Sequence, residues 1–204
     1  MAFSMSSRGT TRIGGTPFVW GRRTYIMGVI NVTPDSFSGD GLGEDVEAAV
    51  ELGLRFQEWG ADIIDVGGES TRPASVYPGA APTSLEEELS RVIPVIAALA
   101  SRLGIPISVD TYKARVASEA LAAGASMIND VWGFSRDPEL VQVAADVGVP
   151  VVLMHNQEHF DYDHLVPDVI GALMGMRDKA VRAGVDIDSI ILDPGMGFGK
   201  TAQH

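Results

Sequence analysis

Residues 62–73 read Asp-Ile-Ile-Asp-Val-Gly-Gly-Glu-Ser-Thr-Arg-Pro, so a short apolar run passes directly into a polar loop rich in Gly and Pro. The same change follows Tyr25–Ile30, where residues 31–40 read Asn-Val-Thr-Pro-Asp-Ser-Phe-Ser-Gly-Asp. Loops of this kind are costly to order and add little to a core, so residues concentrated in them are more often functional than structural. Both stretches therefore predict a buried strand that ends in a functional loop.

Four more short apolar runs follow along the chain, at residues 105–109, 126–128, 149–154 and 189–192. Runs with many β-branched residues and few polar interruptions are typical of parallel strands that are buried on both faces. Stretches with helical periodicity separate them, at residues 44–59, 84–103, 112–124, 137–148 and a fifth that ends near Gly184. The chain is therefore predicted to repeat βα units.

Several residues predict where these helices begin and end. Ser84 and Glu87 have the spacing of a capping box. Gly124 and Gly148 stand where a helix C-terminus favours glycine. Asp137 followed by Pro138 predicts an N-cap and a first helical residue.

Repeated βα units form either an open doubly wound sheet or a (βα)8 barrel, and the strand ends favour the barrel. Each apolar run finishes on a polar residue, which indicates a shared pocket at the C-terminal rim where barrel active sites lie. These polar residues are Asn31, Asp65, Asp110, Asn129, His155 and Asp193. The alternative is that each one only caps the helix that follows.

The expected domain is a TIM-type α/β barrel over residues 16–204, after a flexible N-terminal tail over residues 1–15. Thr16–Arg23 predicts a short hairpin that turns at Gly21. About six strands are visible and a closed barrel of this type needs eight, so the domain is expected to be incomplete at its C-terminal end.

Composition excludes several classes of function. The 204 residues are 46% hydrophobic, which favours one folded domain, and no apolar run is long enough to span a membrane. Without cysteine there is no disulfide, thiolate metal site or Cys nucleophile, which fits a cytoplasmic protein. A net charge of -12 repels nucleic acid and anionic membranes, so the expected partners are small molecules.

The stretches at 31–40 and 65–73 resemble the two signature segments of the dihydropteroate synthase family, and the resemblance extends over about residues 24–204. It implies a transferase of folate biosynthesis. The enzyme joins 6-hydroxymethyl-7,8-dihydropterin pyrophosphate to 4-aminobenzoate, uses Mg²⁺, and releases 7,8-dihydropteroate and pyrophosphate. It also implies a homodimer when the chain is complete, and a target for sulfonamides.

Within this resemblance, Asp110, Asn129 and Asp193 correspond to the residues that hold the pterin. Carboxylates accept paired N–H bonds, and the Asn amide both donates and accepts, which suits the edge of a pterin ring. The resemblance also assigns apolar or close contacts with the flat ring to Met154, Phe198 and Gly197. Taken alone, a Met or Phe at these positions is more often part of a core.

The remaining roles lie at the pyrophosphate and aminobenzoate end of the site. Asn31 corresponds to a Mg²⁺ contact, and Mg²⁺ prefers oxygen ligands and often bridges to substrate phosphates. Ser70, Thr71 and Arg72 correspond to contacts with the pyrophosphate and the aminobenzoate region, and Arg suits anion pairing and aromatic stacking.

Two residues of the first loop complete the catalytic assignment. The resemblance implies that Asp35 and Phe37 lie over the site, and that Asp35 helps to stabilise the cationic pterin methylene as pyrophosphate leaves. Arg72 is the other residue with an expected catalytic role. The alternative for Asp35 is a Pro-Asp turn with a solvated side chain.

Two other motifs are set aside. Gly199-Lys200-Thr201 invites a P-loop interpretation, but that motif needs a glycine where Pro194 stands, so the role of Lys200 stays open. His155 and His159 have i,i+4 spacing, yet they are expected in a loop after a strand, and a polar loop is favoured over a zinc site.

The chain departs from the family pattern in three places. Residues 38–41 read Ser-Gly-Asp-Gly instead of Ser-Asp-Gly-Gly, and the loop at 73–81 is longer than usual, which reshapes the expected aminobenzoate pocket. The later Ser-Arg-Lys and Arg-x-His segments of the family are absent, so reduced or no activity is expected for the chain alone. Two alternatives therefore remain: a pterin-binding methyltransferase-type barrel, and an inactive truncated relative that binds pterin.

Overall fold

The computed structural model describes residues 9–33, 46–69 and 83–204. These residues form an antiparallel hairpin followed by alternating strands and helices. The hairpin consists of β1 (Thr10–Ile13) and β2 (Thr16–Val19). The strands that follow are β3 (Met27–Asn31), β4 (Ile63–Gly67), β5 (Ile107–Asp110), β6 (Met127–Asp130), β7 (Val151–Met154) and β8 (Ile190–Asp193).

The helices between these strands are α1 (Val46–Glu58), α2 (Leu85–Ala100), α3 (Ala114–Ala123), α4 (Leu140–Val147) and α5 (Leu165–Ala183), and a 3₁₀ turn at Ile187–Ser189 precedes β8. None of the helices in the described part of the chain is long and apolar enough to cross a membrane. The predicted capping box is confirmed, since the Ser84 hydroxyl accepts from Glu87 N and the Glu87 carboxylate accepts from Ser84 N.

The six other strands form one parallel sheet in which each strand pairs with the next along the sequence, from β3 to β8. A doubly wound sheet reverses its strand order at a switch point, and this sheet has no reversal. Successive helices pack on each other and against the sheet. The arrangement is the α/β wall of a TIM-type barrel with six βα units, as the sequence predicts.

Strand alternation divides the apolar residues into two clusters. Ile30, Val66 and Val109 are among the outward residues that meet the helices in the larger cluster. Ile63 and Met127 point to the other face, where they meet the hairpin. Because successive side chains of a strand face opposite ways, this assigns every strand position to the outside or the inside of the wall.

The hairpin closes the lower end of the barrel interior. Ile13 and Phe18 pack against the inward residues at the lower ends of the strands. The Thr11 hydroxyl donates to the carbonyl oxygen of Asp188 at 2.6 Å, just before β8. The hairpin is therefore a plug at the N-terminal end of the sheet, which leaves the C-terminal end for a site.

Three sequence predictions are corrected here. The hairpin turns at residues 14–15 and not at Gly21, and its first strand, Thr10–Ile13, falls within the segment expected to be a flexible tail. Residues 1–8 lie outside the described part of the chain. Helix α4 begins at Leu140 with Glu139 as its N-cap, and not at Pro138 with Asp137 as N-cap. The Asp137 carboxylate instead accepts from the backbone N–H groups of Glu139 and Ala114.

Candidate functional site

The upper interior of the wall is polar, in contrast to the plugged lower end. The strand alternation that turns Ile63 and Met127 inward also turns Asp65, Asp110 and Asn129 inward. Asp110 and Asn129 are neighbours in the register of β5 and β6. The structure therefore brings together two of the three predicted pterin residues with a carboxylate that was not among them.

Asp65 joins this group through a direct contact. The Asn129 Nδ2 atom donates to Asp65 Oδ2 at 3.0 Å. Asp110 pairs in register with Gly67, and a Cβ atom on Gly67 would lie 3.3 Å from Asp110 Oδ2. Glycine at 67 thus leaves the space into which the Asp110 carboxyl leans.

The cluster holds hydrogen-bond acceptors that nothing in the described protein uses. Asp65 Oδ1 and Asp110 Oδ1 are both buried and neither has a hydrogen-bond partner among the residues that the structure describes. Buried polar atoms normally have partners, and an exception needs an explanation. A bound ligand that presents an N–H donor at the rim would supply the missing bond to Asp110.

Burial and mutual repulsion both act on these carboxyl groups. Burial raises the pKa of Asp110 well above its ordinary value, and the negative charges of Asp65 and Glu88 raise it further. Burial also raises the pKa of Asp65, and the Ser108 hydroxyl and the Asn129 amide oppose that shift. The cluster is therefore poised to gain from N–H donors, because these would stabilise the charged carboxylates.

A half-buried cation, Lys113, lies beside this cluster. Lys113 donates to the carboxylates of Glu69 and Glu88 and to the carbonyl oxygen of Thr83. Burial would lower the pKa of Lys113, but the hydrogen bonds to the two carboxylates outweigh it and raise the pKa. Its charge is used to neutralise Glu69 and Glu88, so Lys113 is not free for an anionic ligand.

The loop after β8 forms another part of the rim. The Asp193 carboxylate accepts from Gly195 N at 2.7 Å, which folds the loop back at once. Gly195 has a φ of +68°, and a Cβ atom there would lie 2.1 Å from the His155 carbonyl oxygen, so only glycine fits. Met154 is buried at the end of β7, and Phe198 is half-buried within the loop.

Lys200 is held inside that loop. Its Nζ atom donates to the carbonyl oxygens of Phe198 at 2.9 Å and Gly195 at 3.1 Å, and it lies 2.9 Å from His155 Nδ1. Burial lowers the pKa of His155, and the nearby Lys200 charge lowers it further. Lys200 thus organises the loop that carries Gly197 and Phe198.

Asn31 ends β3 at the same rim and is exposed. Among the described residues, no group of three or more His, Cys, Asp or Glu side chains could hold a metal ion. The Asn31 carboxamide could offer Mg²⁺ one oxygen ligand, and Mg²⁺ usually keeps several waters and binds substrate phosphates.

The other predicted residues, Asp35, Phe37, Ser70, Thr71 and Arg72, lie outside the described residues. The sequence marks Asp65 as a polar strand end, but Asp65 is not among the predicted pterin residues. A signal was available, because Asp65 stands at an inward position between Ile63 and Gly67 in a strand that is buried throughout.

A cavity of about 300 Å³ lies elsewhere, at the hairpin end, lined by residues that include Phe18, Arg22 and Tyr25. One of its cations, Arg23, is paired with Asp62. The upper rim remains the better candidate site because barrel active sites lie at the C-terminal ends of the strands, and because the buried acceptors without partners are there.

Comparison with known proteins identifies the family. The family model described as "Pterin binding enzyme" matches residues 27–204. The chain is 50% identical to a dihydropteroate synthase of Clostridium beijerinckii over 193 residues, which cover 95% of this chain and 70% of the relative. It is 53% identical to the Bacillus subtilis dihydropteroate synthase over 179 residues, which cover 88% of this chain and 61% of the relative.

A solved structure has the same fold. The dihydropteroate synthase of Xanthomonas albilineans with 4-aminobenzoic acid superposes with a TM-score of 0.86 and is 46% identical, over 95% of this chain and 69% of that one. The chain therefore spans between 61% and 70% of the length of these three proteins.

Proposed function

We propose a function from one premise: the chain belongs to the dihydropteroate synthase family of pterin-binding enzymes. The proposed reaction joins 6-hydroxymethyl-7,8-dihydropterin pyrophosphate to 4-aminobenzoate and gives 7,8-dihydropteroate and pyrophosphate. The observation that carries the proposal is the buried, unpartnered carboxylate oxygen of Asp110, which lies beside the Asn129 amide.

The upper interior suits a pterin for a chemical reason. The ring edge presents an amino group and ring N–H groups beside acceptors, and Asp110, Asn129 and Asp193 offer carboxylate and amide groups to match them. In a pocket with little water, a ligand without these donors leaves buried acceptors unpaired, so discrimination is strong. Met154, Phe198 and Gly197 are proposed to contact the flat face of the ring.

The proposed chemistry is a substitution at the pterin methylene. The bond between the methylene carbon and the pyrophosphate oxygen breaks, and its electron pair leaves with the oxygen. The amino nitrogen of 4-aminobenzoate then attacks the cationic carbon and loses a proton. Asp35 is proposed to stabilise that cation, and Arg72 the departing anion.

The anion end of the site takes the remaining proposed roles. Mg²⁺ would neutralise the pyrophosphate oxygens, with Asn31 as one oxygen ligand. Ser70, Thr71 and Phe37 are proposed to contact the pyrophosphate and the 4-aminobenzoate. The Xanthomonas albilineans relative holds 4-aminobenzoic acid, which supports that substrate for this chain.

Two further properties are proposed, one from the family and one from the composition. The complete enzyme is expected to be a homodimer, and the absence of cysteine fits a location in the reducing cytoplasm. Sedimentation of the purified chain tests the first of these.

Calorimetry with the pterin pyrophosphate, with and without Mg²⁺, tests the function. Micromolar binding that Mg²⁺ strengthens, about -8 kcal/mol, is expected if both the pterin and the anion subsites work. A steady-state assay with 4-aminobenzoate then tests turnover. Binding without turnover would indicate a pterin-binding relative, and a folded chain that does not bind would contradict the proposal.

A further inference from the structure

Asp65 is the most deeply buried carboxylate of the upper interior, with an exposed fraction of 2%. One of its oxygens accepts from Asn129, and the other has no hydrogen-bond partner among the described residues. A buried charged group is costly to keep. The burial of Asp65 therefore indicates a role other than packing.

The strand register places Asp65 below the residues that face the rim. Asp65 pairs with Ser108, whereas Gly67 pairs with Asp110, and Asp110 pairs with Asn129. Two residues along a parallel strand span about 6–7 Å. A ligand that enters from the rim meets Asp110 and Asn129 before it reaches Asp65.

The contact with Asn129 fixes which way its amide faces. The Nδ2 atom of Asn129 is the one directed at Asp65, and the charged form of that carboxylate requires this orientation because it only accepts hydrogen bonds. The second Nδ2 hydrogen and the Oδ1 atom then remain for a ligand, in a fixed order. Without Asp65, the amide could turn by half a rotation and exchange its donor and acceptor at little cost.

We propose that Asp65 is a positioning residue that holds the Asn129 amide in one orientation, so that the site distinguishes a pterin edge from a ring edge with a different order of donors and acceptors. The inference rests on the proposed function, since it concerns how the pterin is recognised. Asp65 acts through Asn129 and not by contact with the ligand.

The test uses the chain as it is, with two probes without a pyrophosphate. These are 6-hydroxymethylpterin and its 2,4-dioxo counterpart, which carries a carbonyl oxygen in place of the amino group. Affinities are measured by calorimetry for the wild type, Asp65→Asn and Asp65→Ala. Asp62→Asn is the matched control, because this carboxylate pairs with Arg23 at the opposite end of the strand.

Both Asp65 variants are expected to lower the pterin affinity about tenfold and to reduce the preference for the pterin over the dioxo ring by a similar factor. Asp62→Asn is expected to change neither quantity. The effect must also depend on the amide. In an Asn129→Ala background, Asp65→Asn is expected to lower the pterin affinity by less than about twofold, because no amide is left to hold.

The outcomes distinguish a failure of the proposed function from a failure of the proposed role of Asp65. A wild-type chain that is folded and binds neither probe overturns the proposed function, and the inference with it. A wild type that prefers the pterin, with Asp65 variants that keep the full preference, overturns the inference alone. An equal loss in the Asn129→Ala background also overturns it, since Asp65 would then act on the ligand independently of the amide.

Discussion

The lower and upper halves of the barrel interior are built on the same strands, but the lower half is apolar and the upper half is polar. In the lower half, Phe18 of the hairpin packs with Ile63 and Met127 and is 1% exposed. In the upper half, two residues further along the same strands, Asp65 and Asn129 face the same interior. A step of two residues separates a part that stabilises the fold from a part that costs stability.

The difference shows where stability and function lie in this wall. Apolar burial at the hairpin contributes favourable free energy, and the rings of Phe18 and Tyr25 lie 4.8 Å apart. At the rim, burial raises the pKa of Asp65 and Asp110, so their charged forms oppose folding. The lower half is expected to offset the cost of the upper half.

The largest expected effect tests the lower half. Phe18→Ala should lower the free energy of unfolding by about 3–5 kcal/mol, because the plug loses a fully buried ring and leaves a cavity. Pterin affinity of the folded fraction should stay unchanged. Urea unfolding and calorimetry measure the two quantities, and a loss of affinity as large as the loss of stability would show that the halves are not independent.

The pH dependence of the free energy of unfolding tests Asp130, a buried carboxylate on the outer side of the same rim. Burial raises the pKa of Asp130 to about 6, although its oxygens accept from the N–H groups of Trp132 and Phe134. Because the folded pKa is above the unfolded value, its contribution is fully present below about pH 4 and is lost as pH rises through about 6.

That loss amounts to about 3 kcal/mol between pH 4 and pH 7. Carboxyl carbon NMR of the folded protein measures the pKa of Asp130 directly. A pKa near 4 would mean that the backbone hydrogen bonds cancel the effect of burial.

A change at the upper half should separate stability from function. Asp110→Asn is expected to raise the free energy of unfolding at pH 7 by about 1–3 kcal/mol, because it removes a buried charge beside Asp65. The gain should shrink towards pH 4, where the native carboxyl is protonated. Pterin affinity should fall at least about tenfold. If Asp110→Asn were less stable than the wild type at pH 7, the Asp110 carboxylate would not lower the stability of the upper half.

The smallest effect serves as a reference outside both halves. Ser84→Ala removes the N-cap side chain of α2 and should cost about 1 kcal/mol. Pterin affinity should not change, because the helix lies on the outer face of the wall. A shift in affinity would mean that the cap positions residues at the rim.

Local signals explain which parts of the fold were predictable. The six parallel strands, the capping box at Ser84 and the helix ends at Gly124 and Gly148 follow from periodicity and from short-range backbone chemistry. The hairpin was misplaced because Gly21 carries the same turn signal as the pair at 14–15, and Gly14, Gly15 and Gly21 all have positive φ. Only packing against the sheet selects between them.

The candidate site divides in the same way. The polar residues at the strand ends can be read from the chain, since each strand and the loop that follows it are contiguous. The contact of Asp65 with Asn129, 64 residues away, and that of Lys200 with His155, 45 residues away, become visible only in the folded protein. Such contacts depend on strand register and on the free energy of burying a charge beside a particular partner, and no local pattern in the chain encodes either quantity.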